Sequence, residues 1–314
     1  MIAFRTLALA CLCSMPLLSV AQTLALKPSD LGLRVEIDGK LFSEYRTTDA
    51  QRPYMYPIIG PSGENLARPY PMEKGGAEDH PHHRSMWFTH GGVNGVDFWG
   101  NGEKNGTIKH TGFEQIKAEG AVGSFVAKSN WMLPNGEVIM TDARTIRIEA
   151  LAGGSATVDW TIKMIASAGE VTFTDTKEGS FALRLGPTLS IKESKDAHII
   201  TSEGAKDKKA WGTRAKWVTY HGPDPKGNAV SVTVFDHPGN LRHPTWWHAR
   251  DYGLFAANPF GIHDFEKDAD KTKGNHILAK GQTMTQRYRV LIEAGEPDQA
   301  RLTEKFAAYG AAAQ

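Results

Sequence analysis

Four of the chain's twelve histidines, His80, His82, His83 and His90, fall within eleven residues. The stretch around them, residues 79–99, adds Asp79, Arg84, Trp87, Asn94, Asp97 and Trp99, with a run of glycines. Imidazole titrates near neutral pH and is the commonest metal ligand. A buried strand does not favour such a set, because each buried imidazole needs hydrogen-bond partners. These residue types point to proton transfer or metal ligation, with indoles supplying a flat apolar surface beside it.

A second stretch, residues 236–253, repeats the mixture with His237, His243, His248, Arg242, Arg250, Trp246 and Trp247. The expectation is two loops converging at one end of a β-sandwich. Three chemistries fit. In the first, His80, His82, His243 and His248 hold a divalent metal. His82 and His83 would face opposite ways on a regular strand, so a bend at Pro81 is needed, and no H-E-x-x-H signature is present. In the second, His83 or His90 transfers the proton and Arg84 and Arg242 steady anions or hydroxyls. Trp87, Trp99 and Trp247 then form a platform for a sugar ring, with Asn94, Asp97 and Arg250 binding its hydroxyls. In the third, the loops are a polar core with Trp as filler. Glu178, just before a strand with Arg184, reads equally as a carboxylate acid or base and as an ordinary turn residue. Arg214 and Lys216 beside Trp211 and Trp217 could suit single-stranded nucleic acid, but the charge balance and the leader oppose it.

The chain has 314 residues and a net charge of +1, which gives no reason to expect nucleic acid or an acidic membrane as partner. Residues 1–21 read as a signal peptide: Arg5, an apolar run from Leu7 to Leu18, then Ser19-Val20-Ala21. The expected location is a bacterial periplasm or the exterior, with no membrane attachment once the leader is cut. Both cysteines, Cys11 and Cys13, lie in that leader. The mature chain would then have no disulfide and no thiolate nucleophile or ligand, so any metal would rest on His, Asp, Glu or water. Residues 22–314 show no linker and no internal repeat and read as a single domain.

The elements that must position the histidines are strands. Residues 33–46 read as a hairpin turning at Asp38-Gly39, and Asn135-Gly136 is a second such turn. Residues 47–79 read as a long ordered loop or a series of short strands. Alternation predicts strands over 113–118, 124–131, 137–149, 156–166, 171–176, 181–191, 217–220, 229–235 and 286–292. In these, Arg144, Arg147 and Lys163 are expected to face solvent while Ile146, Ile148, Val158 and Ile162 face in. Residues 202–210 and 264–275 read as solvated charged loops. One amphipathic helix is expected over 297–309, with Leu302, Phe306 and Tyr309 on its apolar face.

The runs His80-Pro-His-His-Arg-Ser-Met-Trp-Phe88, Gly95-Val-Asp-Phe-Trp99, Lys177-Glu-Gly-Ser-Phe181, Trp211-Gly-Thr-Arg-Ala-Lys-Trp217, Asp236-His-Pro238, Arg242-His-Pro-Thr245 and Trp247 to Gly261 resemble one bacterial family of unknown function. That family carries the label "methane oxygenase PmoA", and the resemblance covers about residues 30–293. The label belongs to a membrane-embedded oxygenase, and this chain has no spanning stretch after its leader, so the oxygenase activity is not carried over. The segment Leu278 to Val290, with Gly281 and Tyr288, resembles the closing strand of galactose-mutarotase-like proteins. That resemblance implies an all-β, antiparallel β-supersandwich with one C-terminal helix, and a small-molecule sugar or glycoside as partner. The resulting expectation is an exported carbohydrate-active enzyme that cleaves, eliminates or epimerises by histidine acid–base chemistry, with or without a divalent metal. The alternatives are a non-catalytic sugar-binding module and a redox metalloprotein.

Overall fold

The computed structural model describes residues 22–75 and 77–312. The expected leader, with Cys11 and Cys13, lies outside the described residues. The first hairpin forms as the alternation predicts. Strands β2 (Gly32–Ile37) and β3 (Lys40–Arg46) pair antiparallel, and Asp38 and Gly39 turn between them at φ of 50° and 74°. Two consecutive left-handed residues match the right-handed twist of the strands they join. A strand not expected from the sequence, β1 (Leu24–Ser29), lies outside β2. Its Pro28 removes a ladder donor, which suits a sheet edge.

The remaining elements are β4 (Tyr54–Met55), β5 (Met86–His90), β6 (Thr107–Glu119), β7 (Val122–Met132), β8 (Val138–Ala150), β9 (Ala156–Ile165), β10 (Val171–Phe173), β11 (Gly179–Arg184), β12 (His198–Thr201), β13 (Trp217–Pro223), β14 (Ala229–Asp236), β15 (Trp246–Trp247), β16 (Leu254–Asn258), α1 (Ile262–Glu266), β17 (His276–Leu278), β18 (Thr283–Ala294) and α2 (Gln299–Ala311). They build two eight-stranded sheets, ordered β1-β2-β3-β4-β5-β11-β16-β15 and β12-β13-β14-β18-β9-β8-β7-β6, with β10 and β17 as a separate pair. Neighbouring strands pair antiparallel. The expected all-β antiparallel sandwich with a C-terminal helix is the observed architecture. The strand expected over 181–191 ends at Arg184, because the chain turns through Gly186 and Pro187 into a 3-10 turn, and a proline cannot donate to the ladder. The loop expected over 264–275 begins inside the short helix α1.

The sheets pack face to face through aromatic rings. Tyr45 meets Phe125 and Trp160 at 5.4 and 6.0 Å, Phe88 meets Trp131 at 6.4 Å, and Phe181 stacks on Tyr288 at 4.7 Å. One contiguous apolar core draws on both sheets. Helix α2 covers the outside of the second sheet. Asp298 caps it by accepting from the Ala300 and Arg301 N–H groups, and Leu302, Phe306 and Tyr309 pack on Phe235 and Leu291.

Arg144 corrects one expectation. It shares parity with Ile146 and Ile148, so it points into the sandwich and is fully buried, whereas Arg147 and Lys163 reach solvent. Its guanidinium donates to Asp142 through Nε and Nη2 at 3.0 and 2.7 Å, and the Trp131 indole donates to the same oxygen at 2.8 Å. A buried charge left without its partner is costly, whereas an apolar pair of similar volume can be neutral. Arg144→Leu is therefore expected to lower stability by about 3–5 kcal/mol, and the Asp142→Leu/Arg144→Leu double variant to lose less than the single one. Urea unfolding of the native protein, the Asp142→Leu and Arg144→Leu single variants and the double variant tests this, and additive losses would show that the two charges act independently.

Candidate functional site

The site forms on the outward face of the first sheet. In β5, Phe88 points into the sandwich, so Trp87 and Thr89 point out. Trp87 lies opposite Ala182 of β11, and Ala182 lies opposite Ala256 of β16. His248 then pairs through its backbone with Ala256 at 2.9 Å. The small residues Ala182 and Ala256 thus separate the Trp87 side from the His248 side. Three segments rise around this floor: residues 77–83, the Lys177-Glu178 pair before β11, and residues 250–253 before β16. The turn at Gly91 lets Glu178 lie close, since a Cβ there would stand 2.7 Å from that of Glu178.

Arg68 shapes the histidine loop. It donates to the carbonyls of Ala77, Asp79, His80 and His83 at 3.2, 2.6, 2.9 and 3.1 Å, and to the Asp79 carboxylate. Arg184, at the end of β11, donates to the same carboxylate at 2.7 Å and to His83 Nδ1 at 3.2 Å. Burial would raise the Asp79 pKa, but Arg184, His80 and Arg68 together hold it below the usual carboxylate value. The rings then stack. His80 lies on His83 at 4.8 Å and on Tyr252 at 5.3 Å, and His83 lies on Trp87 at 5.5 Å with Trp99 edge-on at 5.6 Å. The indole N–H groups of Trp87 and Trp99 are buried and have no hydrogen-bond partner among the described residues.

The contact from Arg184 sets the state of His83. A guanidinium only donates, so Nδ1 of His83 accepts and the neutral ring carries its proton on Nε2. Burial pushes the His83 pKa well below the ordinary 6.5, and the neighbouring His82, Arg184, His80 and Arg68 push in the same direction. His82 is half-buried and held down to about 4, first by burial and then by Arg52 and His80, with Glu178 and Asp97 opposing. Arg52, itself lowered to about 9 by burial, donates to the His82 carbonyl at 3.3 Å. At neutral pH His82 and His83 are therefore uncharged imidazoles ringed by guanidinium groups.

The structure brings together His80, His82, His83, Trp87, Trp99, Glu178 and Arg250, whose guanidinium lies 5.3 Å from the Tyr252 ring centre. Arg84 sits to one side, over Tyr54 at 5.6 Å. His90 is apart and fully buried. Its Nε2 meets the Thr174 carbonyl at 2.7 Å and its Nδ1 faces the Ser180 hydroxyl at 3.4 Å, so both nitrogens are engaged. Asp97 accepts from the Trp99 and Gly100 N–H groups, and Asn94 ties its turn to Glu170 and Thr172.

The second stretch divides. His248 reaches the floor of the cleft, giving its Nδ1 proton to the Lys177 carbonyl at 2.9 Å. His243 pairs with buried Asp236 at 2.6 Å and stacks on Phe306 of α2. Arg242 donates to the carbonyls of Pro259, Gly274 and Asn275, and Trp247 is buried with its indole on the Ala215 carbonyl. Hence His80, His82, His243 and His248 do not converge, and among the described residues no three His, Asp, Glu or Cys side chains are grouped to hold a metal. Arg52 and Arg68 went unread in the sequence because they lie in the aperiodic 47–79 loop; their only signal was a long ordered loop carrying buried charge.

The fold and site define an antiparallel β-sandwich protein with a histidine–aromatic cleft on one outer sheet face. The chain belongs to a family of unknown function, DUF6807, whose model matches residues 32–307. No curated protein matches the sequence. Among solved structures, a galactose 1-epimerase from Lactobacillus acidophilus NCFM is similar at 10% identity and a TM-score of 0.38, with 88% of this chain and 100% of that one covered. A galactose mutarotase related enzyme from Lactobacillus acidophilus is similar at 12% identity and a TM-score of 0.32, with 87% and 97% covered. At these scores neither structure transfers a residue role.

Burial holds His90 at about 4 and His248 at about 3, with Arg250 adding to the latter. Their unfolded values lie near 6.5, so between the two values the unfolded chain binds more protons. This stabilising contribution is complete above the unfolded pKa and is lost as pH falls towards the folded one. The melting temperature is expected to be level above about pH 7 and to fall between about pH 6.5 and 4, with each buried histidine contributing on the order of 3 kcal/mol. A melting curve series across that range checks the sign, and His90→Gln should flatten part of the slope.

Proposed function

We propose that the protein is a carbohydrate-active enzyme whose cleft works by histidine acid–base chemistry, with His83 as the hydrogen-bond donor to the substrate. The observation that carries this reading is the Arg184–His83 contact beside the Trp87 and Trp99 rings. It leaves a neutral imidazole with its proton on Nε2, next to indole faces of the kind that pack on the C–H side of a sugar. His83 would donate a hydrogen bond from Nε2 to a hydroxyl, ring or glycosidic oxygen, polarising it while the imidazole stays neutral. His82, neutral at pH 7, or Glu178 would take a proton from the substrate and return it. Cleavage, elimination and epimerisation of a sugar all need such a donor and acceptor on one substrate.

Turnover is to be followed by NMR on reducing sugars and on aryl and alkyl glycosides. His83→Gln is expected to lower kcat by about 10²–10⁴-fold while leaving the melting temperature within a few degrees. Trp99→Ala should raise KM more than it lowers kcat. Sugars that raise the melting temperature of the native protein without any turnover would make the cleft a binding module instead.

A further inference from the structure

We infer that the cleft takes an acidic sugar, a ring bearing a carboxylate, with the anion seated on the guanidinium of Arg250. The inference rests on the carbohydrate reading above and names its substrate class. Arg52, Arg68, Arg184, Lys177 and Arg250 stand around the cleft, with the carboxylates Asp79, Asp97, Glu178 and Asp264 among them. The carboxylates are already engaged. Asp79 bridges Arg68 and Arg184, Glu178 pairs with Lys177 at 3.0 Å, Asp97 accepts from two backbone N–H groups, and Asp264 accepts from the Lys177 N–H at 2.8 Å. Among the described residues no carboxylate pairs with Arg84 or Arg250.

Arg84 lies to the side, against Tyr54, whereas Arg250 is half-exposed beside Tyr252, the ring that stacks on His80. The Arg250 backbone is fixed. Its N–H donates to Leu254 at 2.7 Å, and its carbonyl accepts from the Tyr220 hydroxyl at 3.1 Å and the Gly253 N–H at 3.2 Å. A guanidinium on a fixed backbone, free of a carboxylate and beside an aromatic platform, is the fork that recognises a planar carboxylate through two parallel hydrogen bonds. A neutral sugar would leave Arg250 facing hydroxyls, whereas a uronate matches both the ring platform and the charge.

Isothermal calorimetry on the native protein tests this with three probe sets: methyl glucuronide and methyl galacturonide, the matching methyl glucoside and galactoside, and acetate and lactate. The uronides are expected to bind at least about tenfold more tightly than the neutral glycosides, and less tightly in higher salt. Arg250→Gln should abolish that preference and Arg250→Lys should keep part of it, both melting within a few degrees of the native protein. Equal affinity for neutral and acidic glycosides overturns the inference and leaves the carbohydrate reading standing. Acetate or lactate binding as well as the uronides overturns the carbohydrate reading and leaves an anion site. A preference that survives in Arg250→Gln removes Arg250 as the seat, and no binding of any probe overturns both.

Discussion

The carboxylate of Asp79, shared between Arg68 and Arg184, is the contact on which the cleft depends. The two arginines are 2% and 1% exposed, so each would be a buried charge without it, a state costing several kcal/mol per ion. The arrangement has a directional consequence. Arg68 belongs to the loop and collects its carbonyls, while Arg184 belongs to β11 and is as rigid as the sheet. One carboxylate joins them, so a mobile-looking run of Pro and Gly is held at a defined height above the sheet face. His80, His82 and His83 inherit that position, and Tyr252 closes the stack from the turn before β16.

The same guanidinium groups govern the chemistry. Imidazoles buried among cations stay neutral well below the pH at which free histidine charges. His83 is thus a neutral donor in a set tautomer, in place of a residue that switches between two charge states near pH 7. The site contrasts with Asp142–Arg144 inside the sandwich, where a buried pair is closed off by Trp131 and has no route to a ligand. Both are buried ionic clusters. The difference lies in exposure: the cleft retains half-exposed His82, Arg250 and Glu178 at its mouth, and the core pair retains nothing accessible.

The two histidine-rich stretches look alike in composition but separate in space. Residues 79–99 cross from the loop into β5 and keep His80, His82, His83, Trp87 and Trp99 together. Residues 236–253 leave the second sheet at β14 and enter the first at β15, so their side chains are distributed between two layers. His243 stays with Asp236 near α2, and Arg242 fastens loops through three carbonyls. Only His248, Arg250 and Tyr252, next to β15 and β16, arrive at the cleft. A local count of histidines does not see that the chain changes sheets in the middle of the second stretch.

The sequence by itself marked the alternating strands of the second sheet other than β12, the turn at Asp38-Gly39 and the C-terminal helix, because period-two alternation, consecutive left-handed turn residues and the spacing of Leu302, Phe306 and Tyr309 are local properties that act within a few residues, whereas short strands such as β1, β4, β15 and β16 carried no such signal. It also marked 79–99 as the stretch where chemistry gathers, since residue types that are costly to bury persist only where something satisfies them. Tertiary structure alone decided which histidines share a site, that Arg144 points inward with Asp142, and that Arg52, Arg68 and Arg184 hold the loop. Those outcomes depend on strand order and register across the sheets: β11 separates β5 from β16, and the residues it brings side by side lie about a hundred positions apart in the chain. Contacts between residues so far apart are set by how the sheets assemble, and no spacing along the sequence records them.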